Sequence, residues 1–498
     1  VNNVPSLVDE AGARFPDRTA VTIGGRPLTF GELPGLARGG GRVLRASGGR
    51  HVVYLALAGP VFPLALVAAA YAGLPFTSVN YRLAPDQIAE LVGRLEDPVV
   101  IADAEFAPMV KAVAVQTLET DAFAERAYEA ASPEDLPPVE PGAPAVVLYT
   151  SGTTAVPKAV MLRQGTLHAY LSRMMELLQA DAGATSIVSV PPYHITGVMA
   201  VLGGLCVGRR MVFLRTFTPD GWLELVRAEG VTSGTLVPTM VARIVRHLDG
   251  RPADVPTLRA MAYGGSRMPR SVLEKALRAF PTTDFLNGYG LTETSSGITI
   301  LRPEEHRAAL DSDDPAIAAR LGSAGTPVPG AELQIRSAGG DVLGPGEVGE
   351  LWVRGPQVSG EYIGLGSVLD AEGWFPTKDL AYVDEYGYLY INGRADDTII
   401  RGGENIAPAE IEDVLDQHPA VHTVVVVGLP DEEWGERIVA AVVARPGTTA
   451  EELKAFVRER LRGSRTPDEV VFRADLPYTD TGKVQRHRLV QELLAGVE

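Results

Sequence analysis

A layered α/β fold joined to a smaller α/β domain is the architecture this sequence predicts, on three observations. From His51 onward, short apolar strand-like runs alternate with helix-like runs, the pattern of a parallel sheet covered on both faces. From Ala331 the texture changes to short strands separated by turns, which reads as a β-rich subdomain. At 498 residues the chain exceeds what one hydrophobic core usually supports, so it is expected to divide. The expected division is a large N-terminal domain over residues 1–394, its β-rich part at about 325–394, and a C-terminal domain over 395–498.

Taken in order, a short strand ending near Ile23 turns at Gly24-Gly25 into a second one over 27–30. Thr29 with Glu32 spells a capping box for the helix that follows. Strands are expected over 51–57, 75–79 and 98–102, the last closing the series, with a buried helix over 61–72 and an amphipathic one over 85–95. Residues 132–144, rich in proline and acid, read as a linker, and 145–149 as a buried strand. Pro191-Pro192 ends the next strand and presents His194 at its tip. Gly197, Gly203 and Gly204 then interrupt an apolar helix-like run, which implies either close packing or room for a ligand. Strands over 232–237, 258–263 and 283–286 follow, with a helix over 238–247. Short strands at 332–335, 350–353 and 360–362 belong to the β-rich part. The last domain carries strands at 421–427, 437–443 and 470–473 and a helix at 450–461.

Composition excludes several classes. A formal net charge of −17 argues against a nucleic-acid binder, whose affinity rests on lysine and arginine at phosphates. The single cysteine, Cys206, rules out an internal disulfide framework and fits a reducing compartment. Its apolar setting makes it a small buried hydrophobe. The longest apolar stretch, Val61–Ala72, is interrupted by Pro63 and falls short of the ~20 residues that span a bilayer. No signal-peptide pattern opens the chain, so a soluble, cytoplasmic protein is expected.

Chemistry concentrates in a few stretches. The strand at 145–149 feeds Thr150-Ser151-Gly152-Thr153-Thr154-Ala155-Val156-Pro157-Lys158. Gly152 permits a tight backbone, Ser151, Thr153 and Thr154 offer hydroxyls, and Lys158 adds positive charge. Such a loop can wrap a polyphosphate, although a polar surface turn has the same composition. It is not a Walker loop, because the second glycine and the Lys-Ser/Thr pair are missing. Gly264-Gly265-Ser266 and Asn287-Gly288-Tyr289-Gly290-Leu291-Thr292-Glu293 both follow strands, where ligands bind in open α/β sheets. Further stretches are Trp374-Phe375-Pro376-Thr377-Lys378-Asp379, Gly393-Arg394-Ala395-Asp396-Asp397, Gly402-Gly403-Glu404, and Tyr478-Thr479-Asp480-Thr481-Gly482-Lys483.

In this order these stretches closely resemble the signature motifs of adenylate-forming enzymes, the acyl-CoA synthetases with their adenylation-domain and luciferase-like relatives. The resemblance implies that ATP and a carboxylic acid give an acyl adenylate, then a thioester, with Mg2+ as cofactor. It implies that Thr150, Ser151, Gly152, Thr153, Thr154 and Lys158 hold phosphates, and that Gly264, Gly265, Ser266, Asn287, Gly288 and Gly290 line the nucleotide site. Tyr289 would stack on adenine, Thr292 would meet the α-phosphate, Glu293 would hold the magnesium, and Asp379 with Arg394 would bind the ribose. Lys483 would be the adenylation lysine, carried by a mobile last domain that hinges at Asp396 and brings Gly402, Gly403 and Glu404 beside a pantetheine channel. His194, Gly197, Gly203 and Gly264 would line the acyl pocket. Ala155, Ala159 and Lys378 depart from the family pattern, each standing where glycine is commonest.

The apolar region around 194–208 and 232–240 lacks the acid that an amino group would need, so a medium-chain fatty acid is expected, ahead of an aryl acid. CoA is placed ahead of a phosphopantetheinyl carrier protein as acceptor. Arg458, Arg460, Arg462 and Arg465 could steer either one. Two rivals are a non-catalytic acyl-adenylate sensor, disfavoured by the intact lysines and acids, and a covalent nucleotidyltransferase. The latter wants Lys-x-Asp-Gly, which Lys378-Asp379-Leu380 does not supply.

Overall fold

The computed structural model describes the chain except residues 1, 133, 151–156, 178–180, 182, 403, 462, 480–482 and 497–498, and the side chains of 175–177 and 405. An eight-stranded sheet runs in the order Gly366–Ser367, Glu361–Tyr362, Lys158–Arg163, Pro144–Thr150, Phe76–Ser78, His51–Leu55, Pro98–Ala102, Gln116–Glu119. Its last five strands pair parallel, and the others are antiparallel. A seven-stranded sheet begins with Arg210–Phe213, Thr185–Val188, Ser233–Leu236, Ala260–Gly264 and Asp284–Leu291, all parallel. Ser296–Leu301 and Thr326–Pro327 then close it antiparallel.

Strand side chains alternate between faces, so each sheet feeds two cores. Val52, Tyr54, Val146 and Leu148 of the first sheet share one core with Val188 and Met211 of the second. The helices Val61–Ala72 and Ile195–Cys206 fill that shared layer. Val53, Leu55 and Val100 turn the other way, onto Ile88 and Leu91, and Leu236, Met261 and Phe285 onto Trp222, Ile244 and Leu273. Every residue of Val61–Ala72 is buried, which is why that helix is apolar all round. The helix Leu33–Ala46 approaches closely enough that a Cβ on Gly40 would stand 2.8 Å from the Ala68 methyl. A Cβ on Gly39 would stand 2.3 Å from the Ala127 carbonyl, so close contact offsets the ~1 kcal/mol that each helical glycine costs.

A four-stranded antiparallel sheet follows: Glu332–Arg336, Gly349–Arg354, Phe375–Val383, Leu389–Arg394. Its inner face packs Ile335, Leu351, Val353 and Ala381 onto Ile298. From Ile399 a smaller five-stranded unit is built on the long hairpin Val421–Asp431 and Gly435–Ala444, with Glu469–Phe472 parallel on its edge. One face packs on Ile411, Leu415 and Leu453, the other on Leu476 and Leu489. No described helix is long and apolar enough to cross a membrane.

Four expectations need correction. Thr29 and Glu32 exchange the expected bonds, yet the helix starts at Leu33, so Glu32 is its N-cap and not its third residue. The parallel series does not close at Ala102, since Gln116–Glu119 adds a further strand. Asn287 to Leu291 do not leave the sheet; the strand Asp284–Leu291 carries them, because Ser296–Leu301 returns alongside and pairs with them. Glu361–Tyr362 belongs to the eight-stranded sheet and not to the β-rich subdomain, because Tyr362 pairs with Val160.

Candidate active site

Asp379 is the fixed point of the site. It lies on Phe375–Val383 in register with Arg394, and only 5% of it is exposed. One carboxylate oxygen accepts Arg394 Nη1 at 3.1 Å, the other the Tyr289 hydroxyl at 2.5 Å. Burial raises its pKa, and the Arg394 charge opposes the rise most strongly. A carboxylate offers about four acceptor positions, so each oxygen keeps one for a further donor. The Thr377 hydroxyl holds the Asp379 amide at 3.1 Å. Lys378, exposed beside it, has φ +65°, the left-handed conformation in which glycine is at home.

Glu293 sits in the one-turn helix Thr292–Thr294. The buried Thr294 hydroxyl accepts from the Leu291 amide at 2.9 Å and donates to the Ser296 carbonyl at 2.7 Å. Ser295 and Ser296 leave the turn with φ of +57° and +116°. That path brings the Ser296 carbonyl to 1.6 Å from where a Cβ on Gly290 would stand, so position 290 must be glycine. Tyr362 donates its hydroxyl to Glu293 Oε1 at 2.8 Å, and Lys158 Nζ stands over the same ring, 5.6 Å from its centre. Thr150 and Lys158 pair in register at the ends of two antiparallel strands. Ser151, Gly152, Thr153 and Thr154, with Ala155, lie outside the described residues, as do Gly403, Arg462 and Gly482.

Lys483 reaches this cluster from the smaller unit. Its backbone closes a short hairpin with Thr479, N–H to hydroxyl at 3.0 Å and carbonyl to N–H at 2.7 Å. Loss of hydration lowers the Lys483 pKa, and Arg394 lowers it further, while Asp379 and Glu293 raise it. The residue as a whole stays exposed. His194 precedes the helix Ile195–Cys206, its ring 4.6 Å from that of Tyr193. Its Nε2 is buried and finds no hydrogen-bond partner among the described residues. Burial first, then the Lys483 and Arg82 charges, push its pKa down to about 3, so the ring is neutral at physiological pH.

The expected glycines divide by environment. A Cβ on Gly197 would stand 2.4 Å from the Pro191 carbonyl, and on Gly264 2.3 Å from the Gly288 carbonyl, so both serve close packing. Gly203 and Gly288 face open space. Gly265 turns at φ +86° ahead of Ser266, directly after the strand Ala260–Gly264. Asn287 spends an amide N–H on the Ser323 carbonyl at 3.3 Å.

Contacts also tie the two units together. Arg267 pairs with Asp413 and bonds the Ala409 carbonyl at 3.3 Å, and Ser271 bonds the Asp416 carboxylate at 2.8 Å. Asp396 is exposed in the short helix Ala395–Asp397, next to Asp397, which pairs with Arg486. Gly402 turns at φ +57° against the Trp434 ring. Arg465 pairs with Glu404 and Glu410, and Arg460 with Glu459. Sequence reading missed Tyr362 and Arg267. The short run Gly360-Glu361-Tyr362 was visible as a strand, but its partners are remote in sequence.

Comparison with known proteins gives concordant results. A model of the AMP-binding enzyme family matches residues 8–363, and one of the AMP-binding enzyme C-terminal domain matches 410–483. A fatty acid–[acyl-carrier-protein] ligase, ScoC, of Streptomyces coeruleorubidus is 32% identical over 492 residues, covering 95% of this chain and 93% of the relative. A feruloyl-CoA synthase of an Amycolatopsis species is 34% identical over 479 residues, 94% of each. Among solved structures, the o-succinylbenzoate coenzyme A synthetase of Bacillus subtilis in complex with ATP and magnesium superimposes with a TM-score of 0.82 at 28% identity. That match covers 97% of this chain and 98% of the other.

Proposed function

Because the chain belongs to the AMP-binding enzyme family, we propose that it is an AMP-forming acid–thiol ligase. In this reading it activates a medium-chain fatty acid as the acyl adenylate and transfers it to a phosphopantetheine thiol, with CoA as the preferred acceptor. The observation that carries the reading is Lys483, which comes from the smaller unit to within electrostatic reach of Asp379, Glu293 and His194.

Asp379 keeps one acceptor position on each oxygen, a match for the two ribose hydroxyls, and Arg394 holds the carboxylate square to them. Tyr289, pinned through its hydroxyl, offers a ring face to adenine, and Asn287 keeps its carbonyl oxygen for the amino edge. Lys158 and the loop before it hold phosphate oxygens. Among the described residues no three ligating side chains gather to hold a metal. A cation here would therefore rest on Glu293 and on the substrate's own oxygens, which suits Mg2+ and its charge neutralisation. Thr292 stands one residue before Glu293, facing the α-phosphate in this reading.

An acid oxygen attacks the α-phosphorus, the bond to the β-bridging oxygen breaks, and pyrophosphate leaves. Lys483 neutralises the approaching carboxylate and the charge that moves onto the phosphate, holding geometry in advance of the reaction. The neutral His194 ring lines the acyl side, and the space at Gly203 admits chain. The smaller unit then rotates at Asp396 and carries Lys483 away, so Gly402, Gly403 and Glu404 can flank the thiol. The thiol sulfur attacks the acyl carbon, and AMP leaves.

Similarity to a fatty acid–[acyl-carrier-protein] ligase supports a carrier protein as second acceptor, and similarity to a feruloyl-CoA synthase supports an aryl acid as second substrate. Acid-dependent exchange of pyrophosphate into ATP decides among acids, run on butyrate, octanoate, decanoate, palmitate and ferulate. Strongest exchange with octanoate or decanoate is expected; strongest exchange with ferulate overturns the fatty-acid assignment. Transfer from the bound adenylate to CoA and to a phosphopantetheinylated carrier, side by side, decides the acceptor.

A further inference from the structure

Lys158 and Glu293 carry opposite charges beside the same ring, yet no ion pair joins them among the described residues. Tyr362 touches both. Its hydroxyl bonds Glu293 Oε1 at 2.8 Å, and its ring face meets the Lys158 ammonium 5.6 Å from the centre. The backbone around Tyr362 is fastened on both sides. Toward the lysine strand, Tyr362 pairs with Val160, Ile363 N–H bonds the Ala159 carbonyl at 2.9 Å, and Glu361 forks onto Arg163 at 2.6 and 2.8 Å. Toward the other side, Ser359 N–H bonds the Glu293 carbonyl at 2.8 Å. The segment is thus fastened on both sides, and its aromatic side chain contacts both charges.

We infer that Tyr362 is a positioning residue, an aromatic spacer that keeps Lys158 and Glu293 from neutralising each other before nucleotide binds. The inference rests on the proposed function for what those two residues receive. Lys158 is exposed and Glu293 half-buried, and the two would gain by pairing directly at short range. A direct pair would take the lysine away from phosphate and the carboxylate away from a cation. The ring face satisfies the ammonium by a cation–π contact, and the phenol satisfies the carboxylate by a charged hydrogen bond, two separate contacts of which either can be exchanged without breaking the other. Phosphate oxygens can then draw Lys158 off the ring without first breaking an ion pair.

The test is calorimetric titration of ATP in EDTA, which reads Lys158 without the metal and without turnover. Tyr362→Leu removes spacer and donor together, and metal-free ATP affinity should fall about tenfold as Lys158 closes onto Glu293. Tyr362→Phe keeps the ring face and should stay within about threefold of wild type. Adding Glu293→Gln to Tyr362→Leu removes the competing charge and should restore most of the lost affinity, with thermal unfolding confirming that each variant folds. A general structural role for Tyr362 would not be rescued by a change at Glu293. Unchanged affinity in Tyr362→Leu, or a loss that Glu293→Gln leaves in place, overturns the inference. Wild-type protein that binds no ATP either in EDTA or with added Mg2+ overturns the functional reading instead.

Discussion

Arg267 and Ser271 on the large domain meet Asp413 and Asp416 on the small one in the arrangement that brings Lys483 to Asp379. Removing them should therefore weaken adenylate formation selectively. The size follows from exposure. Arg267 and Asp413 leave 42% and 49% of their side chains in water, so screening limits the pair to about 0.2–1 kcal/mol. Desolvation raises the Asp413 pKa and the Arg267 charge opposes it, as expected for a carboxylate in a crevice crowded by protein; with about half of each side chain in water, solvent screening still governs the energy. The Ser271–Asp416 bond adds about 1 kcal/mol, below the range for a fully buried charged bond. Together, about 1–2 kcal/mol shifts the ratio of domain orientations by roughly five- to thirty-fold. Arg267→Ala/Ser271→Ala should slow pyrophosphate exchange by up to that factor while leaving thioester formation from synthetic acyl adenylate intact. The reversed pair Arg267→Glu/Asp413→Arg should recover exchange relative to either single change. If both half-reactions fall together, or neither moves, the latch does not select the adenylating arrangement.

Lys378→Gly should raise the unfolding free energy by about 1 kcal/mol, read from the denaturant midpoint, since φ +65° strains any residue with a Cβ; no gain would mean that the lysine side chain compensates. Acid should destabilise the fold through His51 and His306, which burial holds near pKa about 4, and through His194, held near about 3, all below the ordinary 6.5. Their neutral forms give full stability above pH 6.5, and it is lost as pH falls toward 4, because only the unfolded chain takes the protons. Three such groups make the slope approach about 4 kcal/mol per pH unit near pH 5, and His51→Gln should flatten it by about a third.

Much of this was legible in the sequence. Val61–Ala72 and Pro98–Ala102 fall where the apolar runs end, because a fully buried element advertises both of its boundaries. The site residues Asp379, Arg394, Tyr289 and Lys483 do converge, although they come from different sheets and different units. Less legible was whatever depends on a distant partner. The Asn287 to Leu291 run reads locally as a glycine-rich turn, and only pairing with Ser296–Leu301 makes it strand. Tyr362 and Arg267 look like an ordinary aromatic and an ordinary surface cation until Glu293 and Asp413 are placed beside them. Gly197 and Gly203 are identical in sequence terms; one meets a carbonyl and the other meets space.

The central claim is that Lys483, carried by the small domain to the Asp379–Glu293 cluster, catalyses adenylate formation and nothing later. Lys483→Ala, checked for an unaltered melting curve, tests it in two half-reactions measured on one preparation. Pyrophosphate exchange with the best acid of the panel should fall by about 10²–10³-fold, the effect of losing a charge-stabilising donor. Thioester formation from synthetic acyl adenylate and CoA should proceed at the wild-type rate. Equal loss in both half-reactions, or exchange that survives without the lysine, would contradict the account.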